Sequence, residues 1–409
     1  MRRAITLAAV VFGTAGPAFA QSSGGAGDGE WAVKAEATVV VSGVRADDAL
    51  DPAADGPLGS ALLEISRSDT FDNGLTLGWL GSVRLERDNP NRPAFIGALD
   101  GCPATNPVCP TVASGALSPI SPVTGLAAGG APLDDDGFVV VEAAAVLLSG
   151  PWGEGVVGYD VGAASRLDAR APTVLNRVSA FSPGLDPTGL GVTRARNDVT
   201  ASSAKATYLS PRWLGLRLGV SYTPDANTRS ADFDPDFSAP GLASAELENV
   251  WEGAVSFARQ FAEQDLRVRA AVTYSSADSG AGQPEFGGYE AWGAGLELEH
   301  DGWTGGVRWL SSNNAWAAGN GDYEAWEVGL VKEVDGWRFG AEAGWSEDSL
   351  SGLAGNSWLA GVSHDISHNV SLGVAWTAAD ADIPVPVGLG FGHRNASNGG
   401  LLLELTVRN

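Results

Sequence analysis

Residues 210–225, SPRWLGLRLGVSYTPD, carry Leu214, Leu216, Leu218, Val220 and Tyr222 on alternate positions, with Gly215, Arg217, Gly219, Ser221 and Thr223 between them. A period of two is that of an extended strand with one apolar and one polar face. The alternation recurs near both ends of the chain. Trp31, Val33, Ala35, Ala37, Val39 and Val41 oppose Lys34, Glu36, Thr38 and Ser42, and Leu401, Leu403, Leu405 and Val407 oppose Glu404, Thr406 and Arg408. Sixteen such segments are predicted, at 30–45, 60–71, 75–89, 138–150, 155–168, 199–212, 214–226, 246–262, 266–279, 289–301, 303–314, 322–335, 337–349, 357–368, 370–382 and 398–409.

The connections alternate between short and long. Short ones such as Asp72-Asn73-Gly74, Asp301-Gly302 and Asp335-Gly336 have tight-hairpin chemistry. Long ones fall at 46–59, 90–137, 169–198, 227–245, 280–288, 315–321, 350–356 and 383–397. An even number of strands joined in this way is an up-and-down antiparallel meander, an all-β chain able to close into a barrel with long loops at one end. No run of eighteen apolar residues follows the N-terminus, so spanning helices are excluded.

What the apolar face touches is decided by tryptophan. Trp213, Trp303 and Trp337 stand at short turns, Trp251, Trp292, Trp326 and Trp358 where strands return from long loops, and Trp345 and Trp376 towards the long-loop ends of outgoing strands. Trp337 and Trp345 are about 26 Å apart along a strand. After tilting, that is about 20 Å along a membrane normal, near the height of a lipid-facing band. These Trp therefore form two aromatic girdles at water interfaces, where an indole keeps one wet end. Glycine crowds the polar face (Gly158, Gly162, Gly215, Gly219, Gly293, Gly295, Gly340, Gly344), which suits a wall that curves or meets a loop folded inside.

On the polar face, the basic candidates for a water-filled lining are Lys34, Arg84, Arg166, Arg217, Arg267, Arg269, Arg308 and Arg338. The acidic ones are Glu36, Glu86, Glu142, Asp160, Glu252, Glu297, Glu299, Glu327 and Glu342. This set is nearly balanced, eight basic against nine acidic residues, so the formal charge of −24 is carried elsewhere in the chain. An acidic chain of this kind does not suit nucleic acid. Residues 1–20 read as a secretory signal, with Arg2-Arg3, an apolar stretch from Ile5 to Gly13 and Ala18-Phe19-Ala20 before Gln21, leaving 21–409 as the barrel. Cys102 and Cys109, in DGCPATNPVCPT, are expected to close a loop disulfide in an oxidising compartment. No nucleophile–base set or phosphate-cradling loop is present, and His364 and His368, four apart at a strand end, do not share a helical face.

The stretch YLSPRWLGLRLGVSYTPD resembles a strand–turn–strand segment of Gram-negative general porins, particularly the alphaproteobacterial type, and EAWGAGLELEHDGWTGGVRW, EAWEVGLVKEVDGWRFGAEAGW and HNVSLGVAW extend the likeness. The resemblance implies a homotrimer of sixteen-stranded transmembrane barrels in the outer membrane, in contact with lipid and lipopolysaccharide, passing ions and small hydrophilic solutes passively. It also implies that the third long loop, 169–198, folds into the barrel and narrows it. That loop carries Arg170, Arg177, Arg194 and Arg196 against Asp186 and Asp198, a departure from the acidic loop usual in the family, and Asn409 stands where members commonly end in Phe. The basic loop points to anions, the net charge to cations. No cofactor is expected. Asp134, Asp135 and Asp136, at the end of the second loop, could hold Ca2+ or Mg2+ bridging to lipopolysaccharide phosphates. The 48-residue second loop could latch onto a neighbouring subunit. The alternative to a channel is a secreted or structural β-protein of the adhesin kind, which would need no detergent.

Overall fold

In the computed structural model, residues 29–46, 53–54, 56–89, 118–125, 137–181, 185–226, 242–280, 284–387 and 390–409 are described. The signal segment 1–20, the pair Cys102 and Cys109, and Asp134–Asp136 lie outside the described residues. Among those described, sixteen long strands follow the alternation: β1 Trp31–Ser42, β2 Leu58–Thr70, β3 Thr76–Arg87, β4 Phe138–Gly150, β5 Gly153–Asp160, β6 Ser203–Leu209, β7 Leu216–Asp225, β8 Leu247–Phe261, β9 Leu266–Ser279, β10 Tyr289–His300, β11 Trp303–Ser312, β12 Tyr323–Val334, β13 Trp337–Asp348, β14 Leu353–Ser367, β15 Val370–Val387 and β16 Gly390–Arg408. Each pairs antiparallel with the next, and β1 closes on β16 from Glu36↔Arg408 to Ser42↔Leu402. Closure gives every one of these strands a neighbour on both sides over at least part of its length, as a sheet standing in hydrocarbon needs.

The tight turns are built by the residues the pattern picks out. Asp301 (φ 48) with Gly302 (φ 70), and Asp335 (φ 50) with Gly336 (φ 77), put two successive residues in the left-handed region, as a two-residue hairpin twisted with its strands requires.

Three boundaries differ from the expected ones. β5 stops at Asp160, not 168, and the chain turns inwards through a one-turn helix, Ala163–Arg166. The apolar residues there imitate a strand period but face the wall from inside. Arg166 is therefore on the inserted segment rather than on a strand, and that segment runs from 161 to 202. β14 begins at Leu353, making the connection before it short. β15 and β16 run on through most of 383–397, with Ile383 opposite Arg394 and Val387 opposite Gly390. Pro384 and Pro386 hid this hairpin. Spaced by two, their missing N–H groups fall on one edge, and beyond Asp382 β15 has a neighbour on one side only, so no ladder bond is lost.

Outside, the apolar face is exposed all round, as at Val39, Leu63, Val157, Leu218, Val272 and Leu330. The predicted girdle Trp213, Trp251, Trp292, Trp303, Trp337, Trp345, Trp358 and Trp376 are all exposed, and Trp326 is half-buried between Trp309 (6.1 Å between ring centroids) and Trp345 (6.0 Å, 12° between planes). Trp31, Trp79 and Trp152 are also exposed, whereas Trp316 turns in against Phe286.

The buried apolar clusters lie on the inner side. Ala171, Val174, Leu175, Val178, Ala180, Phe181 and Leu185 of the inserted segment pack against Val40, Leu58, Val331, Leu359, Ala375 and Leu402 of the wall. Part of the second loop also folds onto its own barrel rather than away from it. Val123 is buried with Tyr289, Leu310 and Tyr323, the Ser121 hydroxyl donates to Asn314 (3.0 Å), and 118–120 pairs in parallel with 242–244. For this part of the loop, the latch expectation gives way to a cover over the mouth.

Leu218 lies on the exposed face, about midway in the chain between the aromatic residues Trp213 and Tyr222. Leu218→Arg is expected to destabilise the folded barrel by roughly 2–4 kcal/mol, read as a lower denaturant midpoint in lipid vesicles. An unchanged midpoint would mean that this face does not meet hydrocarbon.

Candidate pore and its inserted segment

A segment without strands, laid against a strand wall, needs room and hydrogen-bond acceptors. Room comes from glycine. A Cβ at Gly295 would lie 2.2 Å from the Ala169 carbonyl oxygen, at Gly329 2.2 Å from that of Pro172, at Gly355 2.5 Å from Val192 and at Gly373 2.3 Å from Leu175. Gly340 and Gly344 meet Val174 and Thr193 in the same way, each at 2.8 Å. These glycines form a track across β10 to β15 on which the segment lies.

The acceptors are wall carboxylates. Glu404 of β16 takes the backbone N–H of Asn176 (2.7 Å), Arg177 (3.0 Å) and Val178 (2.8 Å). Glu342 of β13 takes those of Val174 (2.6 Å) and Ala180 (3.0 Å), and Glu327 of β12 that of Ala195 (2.7 Å). Glu252 of β8 accepts from the hydroxyls of Ser221 (2.7 Å) and Thr200 (3.2 Å). Ser363 and Ser357 donate to the carbonyls of Val174 and Ala180. A charged acceptor makes a shorter and stronger bond than a neutral one. Each backbone N–H left without a partner here would cost about 1–3 kcal/mol.

Several expected lining residues are accordingly not bathed in water. Glu86, Asp160, Arg308 and Glu342 all face inwards but are buried. Arg308 bonds Glu327 and, at 2.7 Å, Asp168 of the segment, and Glu86 accepts from Arg177 at 3.0 Å. The alternation shows which side of the sheet a residue takes, and not what then covers it. Arg84 pairs with Glu142 and reaches Ser60 (3.1 Å). Towards the short-turn end, charges stand in opposed pairs: Arg217 with Glu154 (3.2 Å), Arg269 with Glu297 (2.8 Å) and Arg267 with Glu299 (3.5 Å). There too Lys34 is exposed opposite Glu64, and Glu36 is half-buried.

On the segment, Arg194 is buried against Asp198 (2.7 Å), and Asp186 closes its own turn on the N–H groups of Thr188 (2.9 Å) and Gly191 (2.7 Å). Arg196 lies 3.4 Å from Asp198 and donates to Ser165, Arg166 pairs with Asp160, and Arg338 of the wall donates to Asn176 (2.9 Å). Arg170 is exposed to the lumen and makes no hydrogen bond or ion pair among the described residues. Enclosure by the barrel, then the positive charges of Arg196 and Arg308, draw its pKa below the ordinary arginine value against the opposing pull of Asp168 and Asp198. A guanidinium stays protonated at neutral pH all the same. His364 stacks on Trp337, 4.2 Å between ring centroids.

The pattern sets Glu404 on the polar face without a role, and misses Asp168, Asn176 and the glycines at 306, 329, 355 and 373. A lone Glu inside LLLELTV was the one legible signal among them.

A closed sixteen-stranded barrel with an apolar band outside, a polar wall inside and a segment folded into its lumen is the architecture of a membrane diffusion channel. The model of the Gram-negative porin family matches residues 5–383, and the chain belongs to that family. It is an outer-membrane protein and a passive channel for small solutes. Among solved structures, it is similar to Salmonella typhi OmpF in complex with daunomycin (TM-score 0.55, 11% identity, covering 93% of this chain and 98% of that one). It is also similar to an anion-selective porin from Comamonas acidovorans (0.52, 12%, 93% and 100%) and to the trimer form of Vibrio cholerae OmpT (0.50, 11%, 94% and 100%). No curated protein sequence matches the chain.

Gly329→Val forces a side chain onto the Pro172 carbonyl, and Glu404→Ala removes the acceptor of three N–H groups. Each is expected to weaken the folded state by about 1–3 kcal/mol and to make single-channel current noisier, measured by the thermal shift of the folded band on gels and by bilayer recording. Steady wild-type currents from both variants would show that the track and its acceptors do not hold the segment.

Proposed function

We propose that the chain is exported by residues 1–20, assembles as a homotrimer and acts solely as a water-filled diffusion channel, without catalysis, narrowed by residues 161–202. The carrying observation is the inserted segment, fastened to a polar wall inside a barrel whose outer face is an apolar band between aromatic rows. An adhesin would have no use for that outer face in water.

The trimer reading is supported by a gap in the girdle. The row at the long-loop end runs from Tyr222 and Trp251 through Trp292, Trp326 and Trp358 to Trp376, on β7 to β15. On β16 and β1 to β4 the corresponding outward positions are Leu401, Val41, Gly59, Leu85 and Val139. Indoles mark where a strand crosses from lipid to water. An arc of small and aliphatic side chains, with Val139 64% and Leu401 57% exposed, suits contact with other copies of the barrel. The solved trimer form of OmpT has the same fold. The remaining outer band meets lipid, and the long loops meet lipopolysaccharide.

Purified protein in a planar bilayer is expected to give stepwise ohmic conductance; a folded barrel that stays silent would end the channel reading. Chemical cross-linking in native outer membranes is expected to yield trimers, and cross-linked products limited to monomers would remove the trimer.

A further inference from the structure

The lumen sorts its charges by where they point. The wall carboxylates are turned beneath the inserted segment: Glu327 is 0% exposed, Glu252, Glu404 and Glu86 1%, and Glu342 3%. The segment's own acids are spent in the same way. Asp198 is buried against Arg194, Asp186 within its turn and Asp168 against Arg308. Arg194 and Arg308 are buried with them, but other guanidiniums keep contact with the lumen. Arg196 and Arg177 keep 31% and 25% of their side-chain surface, Arg166 keeps 20%, and Arg170 is exposed without an ion-pair partner among the described residues. Among mid-barrel carboxylates, Glu142 stays half-exposed, and Arg84 neutralises it. Along the segment a permeating ion thus meets the basic ends of the Arg166, Arg177 and Arg196 pairs, whose acidic ends are shielded.

We propose that this pore favours small anions, carboxylates and phosphates among them, in spite of the chain's formal charge of −24. The assignment rests on the channel reading above, and Arg170 with Arg196 carries it. Buried carboxylates hydrogen-bonded to N–H groups present little field to a solute, whereas accessible guanidiniums in a narrow, low-dielectric lumen concentrate counter-ions. Exposed acids such as Glu248, Glu290, Glu324 and Glu347 stand instead at the long-loop ends of the strands, around the mouth. There salt shortens the reach of charge from about 10 Å at 0.1 M to about 3 Å at 1 M.

The test is the reversal potential of the purified, full-length protein in a planar bilayer across a KCl gradient, with liposome swelling in glucuronate and in glucosamine as a second readout. Chloride is expected to be several-fold more permeant than potassium, and glucuronate to enter faster than glucosamine of similar size. R170Q, at an exposed side chain without a partner among the described residues, and R170Q/R196Q are expected to bring both ratios towards one while conductance persists. An open channel that prefers potassium would overturn the proposal and leave the channel reading standing, because the mouth acids would then dominate. Selectivity unchanged in both variants would overturn the assignment to these two arginines. Absence of conductance from folded barrels would overturn the channel reading and this inference with it.

Discussion

A chain laid inside a barrel without strand structure has N–H groups that no ladder satisfies, and here they are satisfied by the carboxylates of the wall. Glu404 alone takes three in succession, and Glu342 two that are six residues apart in the chain. This interaction fixes the path of the segment more tightly than its apolar contacts can, because a hydrogen bond has direction and burial has none. The glycine track is its steric counterpart. A carboxylate can reach the segment's backbone only where the neighbouring wall position carries no side chain.

From that fastening follows the electrostatics of the lumen. A carboxylate that binds N–H groups beneath the segment no longer faces the solute, so the wall's apparent charge balance does not survive folding. Of the arginines paired to buried acids, Arg308 and Arg194 are buried as well, but Arg166, Arg177 and Arg196 keep part of their surface wet, since a long guanidinium stem can bond inwards and stay partly exposed. On the proposal above, the charge that a solute meets is opposite in sign to the charge of the sequence.

The packing is inverted relative to a soluble sandwich. The apolar side chains on the outer face stay exposed to the membrane, and the buried clusters sit inside, where Val174, Leu175 and Phe181 meet Val40, Leu359 and Leu402. Close packing therefore serves to hold an insert, while closure of the backbone ladder holds the wall. The cover formed by Val123 and the Ser121–Asn314 bond extends the same arrangement to the mouth.

The local pattern by itself determined the sixteen strands, the phase that turns Leu218 outwards and Arg217 inwards, the Asp-Gly turns and the positions of the girdle tryptophans. These follow from a period of two and from side-chain preferences that act over a few residues. The end of β5 and the β15–β16 hairpin escape the pattern because buried apolar residues and two prolines imitate, or interrupt, that same period. Only the tertiary structure decided that Glu342, Glu86 and Arg308 are covered, that Gly329 is a contact point and that Glu404 is an acceptor. Each of these depends on a segment distant in sequence coming to rest on the wall, and a period of two says which side a residue takes but not what it meets there.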